Sequence, residues 1–263
     1  MKTINLLQAG LMVGVMAAAP VAMANGLTYI NGNAYSYSAN GEEAGEFQIT
    51  GAAATSYASY YNPVSVVSAG SFETFCLETG VNVNLGGSYY AGLSQTTAGI
   101  GTGSGLALSL GAAWLYQQFA LGDLTTANHD YYDYANNQAG VNSRNADAGM
   151  LQAAIWALQG GQSVSGWPGP LSSNPYYQEA ITHFGSLTSA DAAENGSLGV
   201  SVLVLTNCSG NGISQNQLVY TGTPTTNGTP TPDGGTTATL LGMSLGGLSL
   251  FGLRRKALAK VSA

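Results

Sequence analysis

Residues 71–78 read SFETFCLE, a strand-like run. Side chains of a β-strand point alternately to its two faces, so Cys76 and Glu78 are expected on one face. Phe75 and Leu77 then belong to the other face. This run predicts a strand with Phe75 and Leu77 on one face and with a thiol beside a carboxylate on the other.

Similar strand-like runs, separated by Gly, Asn and Pro turn signals, occur on both sides of this segment. They cover residues 27–30, 34–38, 46–50, 81–85, 88–90, 200–206 and 217–220. Helical spacing is found around residues 108–119 and 146–159, and a third helix is expected to begin at Pro175 with Asn174 as its N-cap. The expected fold is mostly β with a small helical insertion, of the α+β class, in a single domain over residues 25–220.

The charge distribution excludes one broad class of function. The chain has 263 residues, of which 45% are hydrophobic and 7% are charged, and its formal net charge is −7. Arg144 is the single basic residue between Lys2 and Arg254. Nucleic-acid binding needs clustered Lys and Arg to neutralise phosphates, so we expect no nucleic-acid partner.

The N-terminal residues 1–24 have the pattern of a secretory signal peptide. Lys2 is followed by an apolar stretch, and Ala22-Met23-Ala24 is a small-x-small cleavage site for signal peptidase. We therefore expect the protein to be exported into an oxidising compartment.

The C-terminal end has three parts. Residues 221–232 form a Thr/Pro/Gly linker, residues 236–253 form an uncharged apolar run, and a basic cluster follows at Arg254, Arg255 and Lys256. The apolar run is slightly short of the 20 or so residues that cross a bilayer. A basic cluster after such a helix is expected to remain on the cytoplasmic side.

The segment 233–263, with the motif Pro232-Asp233-Gly234 at its start, resembles the PEP-CTERM class of sorting signals, most nearly its VPDSG variant. The resemblance implies processing by an exosortase and release to the cell envelope or the extracellular matrix of a biofilm. The C-terminal helix would then anchor the protein in the cytoplasmic membrane only transiently. A permanent single-pass anchor is the alternative.

A glutamine lies on the apolar face of the second predicted helix. Helical spacing places Gln152 on one face with Ile155, Trp156 and Gln159. A buried carboxamide is costly unless it is hydrogen-bonded. We therefore expect Gln152 to be hydrogen-bonded or used chemically.

Together, the strand cysteine and this helix resemble the thioester domains of bacterial surface adhesins. The resemblance covers residues 72–160, and it matches Cys76 to the thioester cysteine and Gln152 to the thioester glutamine. Ile155 and Trp156 complete the helix motif, whereas Leu151 stands where that family often has Thr.

The resemblance implies an internal thioester, formed when the Cys76 thiol attacks the Gln152 amide and ammonia leaves. Phe75 and Trp156 would shield the bond from water, and Glu78 would move protons or orient the incoming group. The thioester would capture an amine on a surface protein or polysaccharide once, without turnover. A covalent adhesin of this kind is not an enzyme.

A disulfide between Cys76 and Cys208 is the alternative, since these are the two cysteines of an exported chain. The protein would then be a non-enzymatic surface, matrix or carbohydrate-binding component. His129 and His183 lack metal-ligand spacing, and we expect neither a metal nor a cofactor.

Overall fold

The computed structural model describes residues 22–23, 26–39, 42–57, 70–94, 105–124, 132–135, 143–160, 170–208 and 214–222. Most of the predicted signal peptide and linker lies outside these residues, as do the sorting segment 233–263 and the apolar helix predicted over residues 236–253. The sorting residues Pro232, Asp233 and Gly234 and the basic residues Arg254, Arg255 and Lys256 are outside them too. Within the described ranges, no helix has the length and apolar character needed to cross a membrane.

The described strands form one antiparallel sheet. They are β1 (Ala22–Met23), β2 (Thr28–Ala39), β3 (Glu42–Gly51), β4 (Ser71–Thr74), β5 (Gly87–Ser94), β6 (Val200–Asn207) and β7 (Gln217–Tyr220). Their order is β4-β3-β2-β5-β6-β7, and the short β1 pairs with β5. The hairpin between β2 and β3 and the long β5–β6 pair make up most of the sheet.

The two outer strands of this order, β4 and β7, meet just beyond the end of β4. Cys76 and Gln217 form an antiparallel bridge there. The Leu77 N–H donates to the Asn216 carbonyl at 3.0 Å, and the Leu218 N–H donates to the Phe75 carbonyl at 3.2 Å. The sheet therefore closes on itself at Cys76.

The helices are concentrated between two strands that are neighbours in the sheet. These helices are α1 (Ala52–Tyr57), α2 (Leu110–Leu121), α3 (Arg144–Leu158), a 3-10 turn (Leu171–Ser173), α4 (Pro175–Phe184) and α5 (Leu187–Ala190). All of them except α1 lie between β5 and β6, which confirms the α+β class and the position of the helical insertion. The insertion is larger than the sequence predicts, because α5 extends it, and the predicted strand 81–85 is wrong because this segment is irregular.

Capping residues set where the insertion helices begin. The Asn174 side chain accepts a hydrogen bond from the Tyr177 N–H at 3.1 Å, and Pro175 takes the first helical position, as predicted. The Asn174 amide also donates to the Met150 carbonyl at 2.7 Å. The cap of α4 therefore also ties α4 to α3.

Two buried apolar clusters lie on opposite faces of the closing segment 75–77. Phe75 and Leu77 belong to the cluster that contains α2 and α4, whereas Cys76 belongs to a second cluster against β2, β3 and β5. Helix α3 contributes to both clusters, and 12 of its residues are buried. A helix that is apolar nearly all round is buried on most sides, so the polar residues of α3 must find protein partners.

Candidate functional site

The two residues expected to form a thioester are in direct contact. The Cys76 N–H donates to Gln152 Oε1 at 2.9 Å, and Gln152 Nε2 donates to the Cys76 carbonyl at 2.8 Å. Both residues are buried, at 1% and 0% exposure. The carboxamide of Gln152 therefore pairs with the cysteine backbone as a neighbouring strand would.

The strand register explains why this backbone is available to a side chain. The pairing of β3 with β4 ends at Phe47 and Thr74. In an antiparallel strand, successive residues direct their N–H and C=O groups to opposite edges, and the groups that flank Cys76 face β7. The Cys76 N–H and C=O thus point to the edge that β3 has left, and α3 brings Gln152 to that edge.

Gln159, the C-cap residue of α3, makes an equivalent contact. Gln159 Oε1 accepts from the Ser109 N–H at 2.9 Å, and Gln159 Nε2 donates to the Ala107 carbonyl at 2.8 Å. The pair of contacts anchors α3 to the segment that precedes α2. Because the partners of Gln159 are not cysteines, Gln159 is a matched control for Gln152.

Two further glutamines surround the thiol. Cys76 Sγ donates to Gln215 Oε1 at 2.8 Å, and Gln217 Nε2 donates to Cys76 Sγ at 3.4 Å. Burial raises the pKa of the Cys76 thiol well above its ordinary value, against the opposing effect of the Gln217 hydrogen bond, and the charge of Glu78 adds to the rise. At neutral pH the sulfur is therefore a protonated thiol.

Glu78 holds Gln215 and Asn216 in place by hydrogen bonds. Its carboxylate accepts from the Asn216 N–H at 2.9 Å and from the Asn216 side-chain amide, and its carbonyl accepts from Gln215 Nε2 at 2.8 Å. Burial raises the pKa of the Glu78 carboxyl, although both Asn216 hydrogen bonds lower it. Its predicted part in proton movement stays a prediction.

The two expected shielding residues lie on different sides of the strand. Trp156 is 4% exposed and belongs to the same apolar cluster as Cys76. Phe75 packs in the other cluster, with its ring 4.9 Å from that of Phe119 in an edge-to-face arrangement. Cys76 thus shares its apolar surroundings with Trp156, and Phe75 supports the strand from behind.

A pocket of about 370 Å³ borders the site. The irregular segment 79–85 forms most of its wall, together with Phe47, Trp156 and Gln215. This volume lies at the lower end of the range for small-molecule sites. Because Trp156 is one helical turn after Gln152 and Gln215 contacts the thiol, the pocket lies directly beside the Cys76–Gln152 pair.

A buried ionic cluster anchors the start of α3. Arg144 is 0% exposed and contacts Glu46 of β3 through Nε at 2.9 Å and through Nη2 at 2.7 Å. Its Nη2 also contacts Glu73 of β4 at 2.8 Å, and its Nη1 donates to the Tyr134 carbonyl. The Tyr132 hydroxyl completes the cluster by donating to Glu46.

This cluster sets the position of α3 relative to the sheet. Arg144 opens the helix, and Gln152 follows eight residues later, about 12 Å along its axis. An ion pair that joins the helix to both β3 and β4 keeps the helix from sliding against those strands. The one basic residue of the central chain therefore helps to bring Gln152 to Cys76.

The predicted disulfide does not form in this structure. Both cysteines are free, Cys76 buried and Cys208 exposed, with the Cys208 thiol 3.1 Å from the Ser88 carbonyl. Cys76 pairs with Gln217, which pairs with Leu203 of β6, and Cys208 follows Leu203 by five residues. Five residues of strand span about 16 Å, whereas disulfide-linked Cα atoms lie within about 7 Å. The strand register therefore holds Cys76 and Cys208 too far apart for the alternative disulfide.

Sequence reasoning missed Gln215, Gln217 and the pocket. The run Gln215-Asn216-Gln217 beside an apolar strand is the available signal, since amides buried there need hydrogen-bond partners. All three are buried. Their contact with Cys76 depends on the pairing of β7 with the segment after β4, which no local pattern reveals.

In comparisons with known proteins, the chain matches no protein-family model, no curated protein and no solved structure.

Proposed function

We propose that this protein is an exported surface protein that carries an internal thioester between Cys76 and Gln152 and captures amines covalently. One observation carries the proposal: the carboxamide of Gln152 is held on the backbone of Cys76 by two hydrogen bonds, at 2.9 and 2.8 Å. The two residues joined by these hydrogen bonds, Cys76 and Gln152, also carry the thiol and the amide that would react.

The contact suits the chemistry of acyl transfer. When the Cys76 sulfur adds to Cδ of Gln152, negative charge develops on Oε1, and the Cys76 N–H already donates to that atom. A backbone N–H in place before the reaction stabilises such an oxyanion without reorganisation. The S–C bond forms, the C–N bond breaks, and the nitrogen leaves as ammonia with the thiol proton.

Amine capture reverses these bond changes with a new nitrogen. The amine attacks Cδ of the thioester, the S–C bond breaks, and the Cys76 sulfur takes up a proton from the amine. The product is a secondary amide at Gln152, which keeps one N–H. That N–H can donate to the Cys76 carbonyl as Gln152 Nε2 does now, so the product fits the existing site.

The termini supply the cellular context of the proposal. The signal peptide is removed by signal peptidase, and an exosortase processes the chain near Pro232. The apolar segment 236–253 anchors the chain in the cytoplasmic membrane before that step. The mature protein then acts in the cell envelope or extracellular matrix, where its partner is an amine-bearing surface protein or polysaccharide.

The test is the intact mass of the purified protein under non-reducing conditions, before and after methylamine. We expect a mass lighter by one ammonia, which then gains one methylamine at Gln152. Cys76→Ser and Gln152→Ala should each abolish the ammonia loss, and Gln159→Ala should retain it. A chain that shows no loss of ammonia and gains no mass from methylamine would refute the thioester.

A second candidate is a surface or matrix protein that binds partners without a covalent bond. The observation in its favour is Gln159, whose side chain makes the same type of contact in a place where no thiol takes part. In this case Gln152 serves only to satisfy the Cys76 backbone. The full mass in the experiment above would support this candidate.

A further inference from the structure

The Cys76–Gln152 pair is closed to solvent, so an amine needs a route to it. The two residues are almost completely buried, and the pocket beside Trp156 is the neighbouring space. Gln215 lines this pocket and also contacts the Cys76 sulfur. The Gln215 side chain thus lies between the pocket and the Cys76 sulfur.

Two hydrogen bonds hold the Gln215 side chain in that position. Its Oε1 accepts from the Cys76 thiol at 2.8 Å, and its Nε2 donates to the Glu78 carbonyl at 2.8 Å. The first of these bonds depends on the thiol proton. The second is made to the backbone and does not depend on the state of the sulfur.

We propose that the pocket is the entrance for the amine and that Gln215 is its gate, held shut by the Cys76 thiol proton. The inference rests on the thioester function proposed above. A thioester sulfur has no proton to donate, so thioester formation removes one of the two bonds that hold Gln215. The gate then stays in place through the Glu78 carbonyl alone and opens more readily.

Capture of the amine closes the gate again. The sulfur that leaves Cδ of Gln152 takes up a proton, and the restored thiol can again donate to Gln215 Oε1. The loaded site is thereby sealed from water, while the unreacted thioester admits an amine. Gln215 in this scheme is a positioning residue and takes no part in bond making.

The lining of the pocket indicates the form of the amine. All of the described residues that line it are uncharged, and the Asn82 and Asn84 amides on its wall are exposed. An ammonium ion would find no carboxylate there to replace its water. The entering group therefore crosses the pocket as a neutral amine, and capture by the wild type should speed up with pH as more methylamine is deprotonated.

Rates of methylamine capture and of spontaneous thioester hydrolysis, followed by intact mass, test the gate. Gln215→Ala removes the blocking side chain together with its remaining hydrogen bond to the Glu78 carbonyl, and should speed both reactions about tenfold or more. Gln217→Ala is the matched control, because Gln217 contacts the sulfur but does not line the pocket; its rates should stay within about twofold of the wild type.

The outcomes separate the gate from the thioester itself. If the wild type shows no ammonia loss, the proposed function fails. If it does, and Gln215→Ala forms a thioester with unchanged rates, only the gate is overturned. The shorter amide of Gln215→Asn should give an intermediate rate. Loss of the thioester in both Gln215 variants would overturn the gate and assign Gln215 to thioester formation.

Discussion

Gln152 lies within α3 and Gln159 caps its C-terminal end, and each side chain makes the same type of contact, a carboxamide that pairs with one backbone N–H and one backbone C=O. Each glutamine joins α3 to a different part of the fold. Gln152 reaches the closing point of the sheet, and Gln159 reaches the start of α2. Only the Gln152 contact is made to the backbone of a cysteine.

The two glutamines should be equivalent for stability but not for chemistry. Gln152→Ala and Gln159→Ala each leave two backbone groups without their partner, which should lower the free energy of unfolding by about 2–5 kcal/mol. Urea denaturation measures both changes. Only Gln152→Ala should lose methylamine incorporation, and an equal loss in Gln159→Ala would show that incorporation depends on overall stability.

Cys76→Ser should preserve the fold while removing the nucleophile. A serine hydroxyl can donate to Gln215 Oε1 as the thiol does, and the backbone contacts with Gln152 do not involve the side chain. The unfolding free energy should stay within about 1 kcal/mol of the wild type. A much larger loss would mean that the sulfur itself is needed for packing.

Arg144→Met should be among the most damaging single changes. It removes the positive charge from a cluster in which Glu46 and Glu73 are buried, and such a loss costs about 3–5 kcal/mol. Thermal denaturation should show a large drop in melting temperature. Arg144→Lys keeps the charge without the paired geometry and should recover part of the loss, whereas equal stability of the Met variant and the wild type would contradict the anchoring role.

The two cysteines should differ in reactivity when the protein is folded. Cys208 is exposed, whereas burial raises the pKa of the Cys76 thiol and leaves little reactive thiolate. After methylamine treatment has freed Cys76, iodoacetamide should label Cys208 quickly and Cys76 only on unfolding. Cys208→Ser should abolish the fast labelling without affecting methylamine incorporation, and a fast label on Cys76 would contradict the burial.

Glu78 should make stability depend on pH. Burial raises its carboxyl pKa above the ordinary value of about 4.3, so the native state holds this proton more tightly than the unfolded chain. The free energy of unfolding should therefore fall as pH rises from that value through the raised native pKa. Glu78→Gln should remove this part of the dependence, which urea denaturation at several pH values measures.

In Glu78→Gln, the new side-chain amide has a hydrogen-bond acceptor nearby. Asn216 Oδ1 is buried and makes no hydrogen bond with another described residue, so it can accept from the new amide after the Asn216 side chain rotates. Identical pH dependence in Glu78→Gln and the wild type would show that another group is responsible.

Local sequence patterns correctly predicted most of the helices and strands. The period-two alternation of residues 71–78 correctly assigned Phe75 and Cys76 to opposite faces, and Asn174-Pro175 correctly marked the start of α4. Both depend on rules that act within a few residues, namely strand alternation and helix capping. Helical spacing likewise placed Gln152 on a buried face of α3.

Only the tertiary structure decided which residues meet at the sulfur. Gln215 and Gln217 lie some 140 residues from Cys76, and they reach it because the sheet closes between the end of β4 and β7. The same register keeps Cys208 away from Cys76, although composition alone favoured their pairing. The hydrophobic pattern fixes which face of each strand is buried, but which distant strands pair is decided only when the whole sheet and α3 pack together.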